Sequence, residues 1–386
     1  MESVGRHDLA IDHQLADMSS GIRFLLDVTP VDLVATRRRF FEDGCPPVFR
    51  YEPLGYDPAV LAARLSEVRT TTVADPALSH LLQAKHRELE LQLEMLRCRG
   101  SAEFLDLSVQ LYGTVSPAQL AEAEVLLAHV ETPPAEPGPR LDAAAFARQA
   151  EAELAHYRGV EPDLAVGVEV RDDSSGVMVV NGSVLIAPTV SVPASRAHAL
   201  LQHEIGTHVV THVNGSRQPL RLLGVGLAGC DETQEGLAVF AEYLVGGLTA
   251  RRLRQLAARV VAVHQMTEGV TFAEVHHNLV DNGVSRTEAF TIAMRVFRSG
   301  GLTKDAVYLR GLGGVIAHLA SGGRLDVLWL GKMSLTDVPH IEDLRNRRVL
   351  AEPLLVPRYL VEPDVQQRLA GITTSTTALD LIGATG

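Results

Sequence analysis

Two histidines and a glutamate lie within one short segment and could together bind and use a metal ion. The segment HEIGTH runs from His203 to His208. It resembles the HExxH pattern, in which two imidazoles on one helix face bind a metal and the glutamate activates a water molecule. Here the second histidine comes one residue later than that pattern requires. Because residues five apart on a regular α-helix differ in direction by about 140°, a regular helix would turn the two rings away from each other.

A π-turn inside this helix would restore the metal-binding geometry. Hydrogen bonding from residue i to residue i+5 absorbs one extra residue, and such turns occur at functional sites. Gly206 lies in the middle of the segment, where it offers backbone freedom. We therefore predict a π-turn near Ile205 to Thr207 that brings His203 and His208 together.

Two other interpretations of these residues remain open at this point. His212 lies four residues after His208 and would share its face on an undistorted helix, so it could replace His203 as a ligand. The residues between them are Val-Val-Thr, which bring no glutamate to the position that HExxH requires. Alternatively, Glu204 and His208 could form an ordinary i,i+4 pair on an exposed helix face.

A tetrahedral zinc ion held by two imidazoles needs one more protein ligand and an open position for water. Glu235 is the candidate, because it lies a short distance downstream in the string QEGLA, where Gly236 removes side-chain bulk beside the metal. Glu242 shares its helix face and could accept a hydrogen bond from an imidazole N–H. We therefore predict one Zn²⁺ per chain, bound by His203, His208 and Glu235, with Glu204 beside it as the catalytic general base.

The three cysteines do not suggest another metal site. Cys45, Cys98 and Cys230 are widely spaced and form no CxxC pair. Neither a disulfide framework nor a thiolate zinc cage is indicated. Any metal must therefore be bound by histidine and carboxylate side chains.

The composition excludes several other classes of function. The 386 residues carry a formal net charge of −12, whereas proteins that bind a nucleic-acid backbone present basic surfaces. The N-terminal sequence MESVGRHDLAIDHQL is partly acidic and has no apolar run typical of a secretory signal. No uncharged apolar stretch of about 18 residues occurs, so no membrane span is expected. We expect a cytoplasmic protein that binds neither nucleic acid nor membrane.

Helical periodicity dominates the first third of the chain. The predicted helices cover residues 57–68, 78–97 and 116–129. Four prolines then occur in the eight residues TPPAEPGP, which favours an extended connector. We therefore predict an N-terminal helical region over residues 1–130 and a Pro-rich linker over residues 131–140.

The second half of the chain mixes strand and helix signals. Clustered β-branched residues predict strands over 164–170 and 177–187, and Asn181-Gly182 is a strong signal for a two-residue hairpin. The HEIGTH helix is predicted over 195–212, with a stop at Asn214-Gly215.

The residues beyond this helix complete the predicted fold. A pattern like a capping box at Asp231 predicts the start of the helix that carries Glu235. We assign residues 141–370 to a catalytic domain and residues 371–386 to a loosely ordered tail. The predicted fold is α+β and mostly helical, with a small β-sheet packed on the HExxxH helix.

Further segments of the chain carry a resemblance to a known family. They are HEIGTH, QEGLA, Arg295 to Arg298, Gly300 to Asp305, Tyr308-Leu309, Tyr51 to Leu54, Lys85 to Glu88, Arg99-Gly100 and Leu111 to Gly113. Together they resemble the bacterial QEGLA-motif protein family, which is related to the eukaryotic microtubule-associated tyrosine carboxypeptidases. The similarity covers most of residues 45–335 rather than one motif.

This resemblance implies a zincin-type metallopeptidase, in particular a carboxypeptidase acting on peptide or protein C-termini. It implies zinc binding by His203, His208 and Glu235, with Glu204 as general base. The connection from His208 to Glu235 is shorter than in the tubulin-cleaving members. The substrate identity is therefore left open, because this connection helps to shape the pocket.

A carboxypeptidase needs further groups for the substrate. Lys304 and Tyr308 lie four apart on one predicted helix face, and either could donate a hydrogen bond to the oxyanion or to a substrate carboxylate. Arg295 or Arg298 could bind the terminal carboxylate through two hydrogen bonds. For all four residues, an ordinary role on a helix surface or at a helix cap is the alternative.

Two other functions compete with the peptidase hypothesis. The first is a non-catalytic zinc-binding regulatory protein that modulates expression of a stress-response protein such as flavohaemoglobin. The second is hydrolysis of a non-peptide amide. The presence of Glu204 favours catalysis, because a structural zinc site needs no general base.

Overall fold

The computed structural model describes residues 4–131, 138–172 and 176–383, and helices make up most of it. The N-terminal helices are α1 (Arg6–Gly21), α2 (Phe24–Asp27), α3 (Leu33–Asp43), α4 (Pro58–Ser66), α5 (Pro76–Arg97), α6 (Glu103–Tyr112) and α7 (Pro117–His129). The later helices are α8 (Ala143–Val160), α9 (Ala194–His203), α10 (Val210–Ser216), α11 (Leu222–Val225), α12 (Cys230–Leu244), α13 (Ala250–Thr267), α14 (Phe272–Asp281), α15 (Arg286–Phe297), α16 (Val307–Ala320), α17 (Val338–Asn346), α18 (Pro363–Ala370) and α19 (Asp380–Gly383).

Side-chain caps explain where the three predicted N-terminal helices begin. The carboxylates of Asp57 and Asp75 accept hydrogen bonds from the first-turn amides of α4 and α5, and the Ser116 hydroxyl does the same for α7. A proline follows each cap, where its missing N–H costs nothing. These starts are local, and the sequence prediction of these helices is confirmed.

Two small β-sheets lie beside the helices. Strand β1 (Arg140–Asp142) pairs antiparallel with β5 (Ser191–Pro193). The second sheet has the order β2-β4-β3, formed by β2 (Val168–Val170), β3 (Val177–Val180) and β4 (Ser183–Ile186). In this sheet β4 runs parallel to β2 and antiparallel to β3.

The predicted hairpin is confirmed. Asn181 and Gly182 connect β3 to β4, and both have positive φ angles, of 49° and 84°. A two-residue hairpin turn of this kind needs such angles, which asparagine and glycine tolerate. Both strands pack against the HEIGTH segment, so the α+β, mostly helical fold with a small sheet on that helix is what the structure shows.

The N-terminal helices pack tightly on the later ones. Helix α7 contacts α13, and the buried Arg254 of α13 donates hydrogen bonds to the carbonyls of Leu127 (2.5 Å) and Val130 (2.7 Å) at the end of α7. Gln119 of α7 also donates to the carbonyl of Ala306, at 2.8 Å. The division at residues 131–140 stays a prediction. Residues 132–137 of that segment lie outside the described residues, and residue 140 begins β1.

Helices α12 and α16 pack closely where Gly236 meets Gly311, and this contact positions α12, the helix that carries Glu235. A Cβ on Gly236 would lie 2.1 Å from the carbonyl carbon of Gly311, and one on Gly311 would lie 2.0 Å from the carbonyl oxygen of Glu232. No side chain fits at either position. The glycine of the QEGLA string therefore permits close packing of two helices, rather than removing bulk beside the metal.

The predicted helix stop at Asn214-Gly215 is wrong, because α10 continues to Ser216. The buried Asn214 side chain donates to the carbonyls of Trp329 and Leu355 and accepts from the Leu355 amide. Gly215 is needed because a Cβ there would lie 2.1 Å from the Leu223 carbonyl oxygen. Both residues serve long-range contacts rather than a cap.

The predicted start of α12 and the predicted C-terminal tail also differ from the structure. Helix α12 begins after Gly229, whose φ angle is 68°, and no side-chain cap opens it, so the predicted capping box at Asp231 is absent. The segment 371–386, expected to be loosely ordered, contains α19 and buries Ala378 and Leu381. Among the helices of the described residues, none has the length and apolar composition needed to cross a membrane.

Candidate metal centre and substrate cleft

The backbone from Glu204 to Val209 forms a π-helix between α9 and α10, as the spacing of the two histidines predicts. The ring centroids of His203 and His208 lie 5.2 Å apart, with 79° between the ring planes. Gly206 is required by space as well as by backbone freedom. A Cβ at this position would lie 2.5 Å from the Gln202 Oε1 and 3.0 Å from the Tyr359 Cε1.

The π-helix and α12 together form a candidate metal centre. The Nε2 atoms of His203 and His208 each lie 3.9 Å from the Oε2 of Glu235. The candidate ligand atoms of these three residues all lie within 4.8 Å of one another. Adjacent ligands in a tetrahedral site with bonds of about 2.05 Å are about 3.4 Å apart. A small inward movement would therefore complete the coordination, and the three residues fit one metal ion.

The alternative pairing of His208 with His212 does not match this geometry. The His212 Nδ1 hydrogen-bonds to the carbonyl of Gly224, at 3.1 Å, and its ring lies against Gly182 in the hairpin turn. Burial lowers the pKa of His212 to about 4, so its ring is neutral. His212 packs the sheet against α11 and contributes nothing to the cluster.

Glu242 holds the His203 ring from the side opposite the centre. Its Oε1 accepts a hydrogen bond from the His203 Nδ1 at 2.9 Å, which leaves Nε2 free for a metal. The carboxylate also accepts from Arg196 (2.5 Å) and Arg252 (3.3 Å). Although burial opposes its charge, Arg252 and His203 outweigh burial and hold the pKa of Glu242 well below its usual range. Glu242 is thus a permanent acceptor that fixes the ring tautomer.

The protonation states of His208 and Glu235 suit metal binding. Burial lowers the pKa of His208 to about 3, so its imidazole is neutral. Burial opposes the charge on Glu235, but its neighbours, above all the cationic Lys304, outweigh burial and lower the pKa of this carboxyl to about 2. Neutral imidazole and ionised carboxylate are the forms that bind metals. The adjacent Glu204 is 6% exposed, and this burial raises its pKa to about 7.

A cleft of about 460 Å³ opens onto this cluster, and the four predicted substrate-binding residues all line it. Arg295 is committed to Asp305, whose carboxylate accepts two hydrogen bonds from it, at 2.6 and 2.7 Å. Lys304 is buried with its Nζ 3.4 Å from Asp231 and 3.5 Å from Glu235. Tyr308 lies beside Glu235 and helps to lower the pKa of that carboxyl. Arg295 and Lys304 therefore already have ion-pair partners, and Tyr308 lies beside Glu235.

Arg298 differs from these three residues. It is 5% exposed, and its guanidinium donates to the Thr29 hydroxyl at 3.0 Å. Its Nε is buried without a hydrogen-bond partner, and within the described parts of the chain no carboxylate forms an ion pair with it. A buried guanidinium in such surroundings is under-compensated.

A family model of the microtubule-associated tyrosine carboxypeptidases matches residues 38–376. The chain belongs to this family. Three curated proteins named microtubule-associated tyrosine carboxypeptidase 1 are similar to it. The mouse protein is 32% identical over 227 residues, which cover 54% of this chain and 46% of the relative.

The other two relatives give a similar picture. The rat protein is 30% identical over 229 residues, covering 54% of this chain and 47% of the relative. The human protein is 30% identical over 205 residues, covering 48% of this chain and 42% of the relative. The chain spans about half the length of the curated relatives that it matches.

The family match contains the whole candidate metal centre, but the cleft includes residues that sequence reasoning missed. Lys332, Cys230 and Asp231 line it beside the centre, as do residues of α1, α2 and the loop after them. No spacing signal identified these residues, because distant parts of the chain bring them together. Glu88 could have been found, since it lies in the segment from Lys85 to Glu88 that carries the family resemblance, and it pairs with Lys85. Its carboxylate accepts a hydrogen bond from the Gly229 amide at the start of α12, at 2.8 Å.

Proposed function

We propose that this protein is a zinc-dependent carboxypeptidase of the zincin type that removes residues from peptide or protein C-termini. The observation that carries the proposal is the cluster of two imidazole Nε2 atoms and one carboxylate oxygen, with the buried Glu204 beside it. Membership of a family named for tyrosine carboxypeptidases supports the same reaction class.

Zinc is the metal that we propose, because two imidazoles and one carboxylate with a fourth position open to a cleft are typical of catalytic zinc sites. His203, His208 and Glu235 would hold it. Bound there, zinc would supply Lewis-acid polarisation of the scissile carbonyl and a lowered pKa for a water molecule.

Glu204 is the residue that we assign to proton transfer. It follows His203 on the π-helix and lies in the cleft, where a water and a scissile bond would meet. Its carboxylate would accept the proton of the attacking water and then deliver it to the nitrogen of the leaving amine. Its burial excludes competing water, so the proton stays between these groups.

The cationic residues of the cleft give the proposed substrate its orientation. A terminal carboxylate would give Arg298 the anionic partner that it lacks. Lys304 and Tyr308 border Glu235 and are the candidates for donating to the oxyanion. We assign Arg295 to holding Asp305 rather than to substrate, because Asp305 occupies its guanidinium.

The proposed partners follow from the charge and the cleft. A peptide or protein C-terminus is the substrate class, while the formal charge of −12 disfavours nucleic acid. The relatives are named for tyrosine, but the chain spans about half of their length, and we leave the preferred terminal residue open. We propose a cytoplasmic location.

Turnover of paired peptides tests this proposal. The zinc-loaded protein is incubated with a peptide library in free-acid and C-terminally amidated forms, and products are identified by mass spectrometry. We expect release of the terminal residue from free-acid peptides only. Glu204→Gln should abolish turnover while retaining zinc, and the matched control Glu67→Gln, on an exposed residue that does not line the cleft, should behave as wild type. Stoichiometric zinc in a wild-type protein that cleaves no peptide would instead favour the non-catalytic regulatory hypothesis.

A further inference from the structure

One wall of the cleft comes from a part of the chain that precedes the family match. Residues of α1, of α2 and of the loop to Thr29 line the same cavity as His203, Glu204 and Glu235. The family match begins at residue 38. The family match therefore does not include this wall of the cleft.

This segment also helps to hold the turn that follows Arg298. Ser299 has a φ angle of 59°, an unfavourable conformation for a residue other than glycine. Its amide donates to the Tyr51 hydroxyl at 2.6 Å, and its own hydroxyl donates to the Val28 carbonyl at 3.2 Å. Its carbonyl accepts from the Gly100 amide at 2.8 Å. N-terminal residues thus bond every polar group of Ser299 and fix the backbone next to Arg298.

Thr29 fixes the Arg298 side chain as well. The Thr29 hydroxyl donates to the Leu25 carbonyl at 2.5 Å, so its proton is committed and its oxygen lone pairs are free to accept. The Arg298 Nη1 donates to that oxygen at 3.0 Å. Burial lowers the pKa of Arg298 to about 10, which still leaves the guanidinium protonated at neutral pH. One neutral hydroxyl therefore orients a buried cation that lines the cleft.

Part of the cleft surface beside Thr29 is aliphatic. Leu25 and Leu26 are half-buried and line the cleft, as do the half-buried residues Val177 to Val180 of the edge strand β3. Surfaces of this kind favour an apolar group over water by about 25 cal/mol for each Å² covered. The cleft thus combines the guanidinium of Arg298, which forms no ion pair with the described residues, with aliphatic side chains.

We propose that the segment Ile22–Thr29 is a specificity element, in which Thr29 positions Arg298 for a terminal carboxylate and Leu25 contacts an apolar substrate side chain. This inference rests on the proposed carboxypeptidase function. Thr29 is a positioning residue, since it acts through Arg298. The ligand class is a peptide with a free C-terminus and an apolar residue near it.

Binding measurements separate the two roles without turnover. The probe is a hexapeptide that ends in Leu-Tyr, as free acid and as amide, bound to the zinc-loaded Glu204→Gln variant in a calorimeter. Adding Thr29→Val should raise the Kd of the free acid about tenfold, because Arg298 loses the hydrogen bond that orients it for the terminal carboxylate. The Kd of the amide should stay unchanged, because the amide has no terminal carboxylate. Thr29→Ser should restore the free-acid Kd, since serine keeps the hydroxyl.

Leu25→Ala tests the aliphatic wall in the same background. It should raise the Kd of the acid and the amide equally, by about threefold to fivefold, because the lost apolar contact is indifferent to the carboxylate. The matched control is Val34→Ala on α3, where the valine is 75% exposed and does not line the cleft. It should leave both Kd values unchanged.

The outcomes distinguish this inference from the proposed function. An unchanged ratio of acid to amide Kd in Thr29→Val, with an unchanged melting temperature, would overturn the positioning role of Thr29. Equal Kd values for the two peptides in the Glu204→Gln background itself would overturn carboxylate recognition. If both of these contradicting results are obtained and wild type still hydrolyses free-acid peptides, the specificity element is refuted and the carboxypeptidase assignment stands.

Discussion

Replacing Glu242 by glutamine should weaken zinc binding and folding by separable amounts. The carboxylate is 1% exposed and accepts hydrogen bonds from His203, Arg196 and Arg252. Glutamine keeps an acceptor for the ring but removes the charge that would make His203 a strong ligand in the proposed site. Loss of such a partner typically costs 10-fold to 100-fold in metal affinity, or about 1.4 to 2.7 kcal/mol.

The two arginines set the cost to folding. Arg196 and Arg252 are 15% and 16% exposed at the side chain, so each loses a largely buried partner when Glu242 becomes neutral. Breaking buried pairs costs about 3 kcal/mol or more in the free energy of unfolding. Glu242→Gln should lower the free energy of unfolding more in saturating zinc than in chelator, because bound metal stabilises only the folded state. The difference between the two losses should equal the change in the free energy of zinc binding, about 1.4 to 2.7 kcal/mol.

Urea unfolding with and without zinc, together with chelator competition, measures both quantities. Glu153→Gln is the matched control, since this carboxylate is 2% exposed and pairs with Arg358 at 2.6 Å but contacts neither histidine. It should lower the free energy of unfolding equally with and without zinc. Wild-type zinc affinity in Glu242→Gln, or equal losses in zinc and in chelator, would refute the role given to Glu242.

Two further predictions concern packing and pH. Gly236→Ala should lower the free energy of unfolding by about 3 kcal/mol, measured by urea, because its Cβ would meet the Gly311 backbone at 2.1 Å. Gly313→Ala, with nothing within 4 Å, should instead raise it by up to about 1 kcal/mol, since alanine favours a helix. Burial raises the pKa of Asp12 from 3.8 to about 6, so the folded state binds more protons between these pH values. The contribution of Asp12 to the free energy of unfolding should therefore fall by about 3 kcal/mol as pH rises through this window, and urea titrations from pH 4 to 7 should show this fall as the difference between wild type and Asp12→Asn.

Each of these has a contradicting result. Gly236→Ala and Gly313→Ala of equal stability would show that the glycine crossing is unimportant. A slope that persists unchanged in Asp12→Asn would show that another group titrates in this window. The Asp12 carboxylate accepts hydrogen bonds from the Arg221 and Leu222 amides, so its contribution reports on the anchoring of α1.

Features that depend on neighbouring residues could be predicted from the sequence. The caps Asp57, Asp75 and Ser116 act within their own first turn, and the Asn181-Gly182 turn is set by its own backbone angles. The π-helix could also be predicted, because two histidines five apart can share a metal only if the helix absorbs one residue. The structure confirms that bulge at Glu204–Val209.

Features set by long-range packing could not be predicted. Asn214 and Gly215 read locally as a helix stop, yet Trp329, Leu355 and Leu223 determine their roles. The same limit applies to the cleft. Arg295 and Arg298 were equivalent candidates in the sequence, and only the tertiary contacts with Asp305 and Thr29 distinguish them.

The most direct test of the central claim is a crystal structure of the zinc-loaded protein with anomalous scattering measured at the zinc edge. We expect one anomalous peak per chain, within bonding distance of the Nε2 atoms of His203 and His208 and the Oε2 of Glu235. The π-helix should persist, and Glu204 should face the open coordination position. A peak bound by His212 instead, or no peak in this cluster at saturating zinc, would contradict the account.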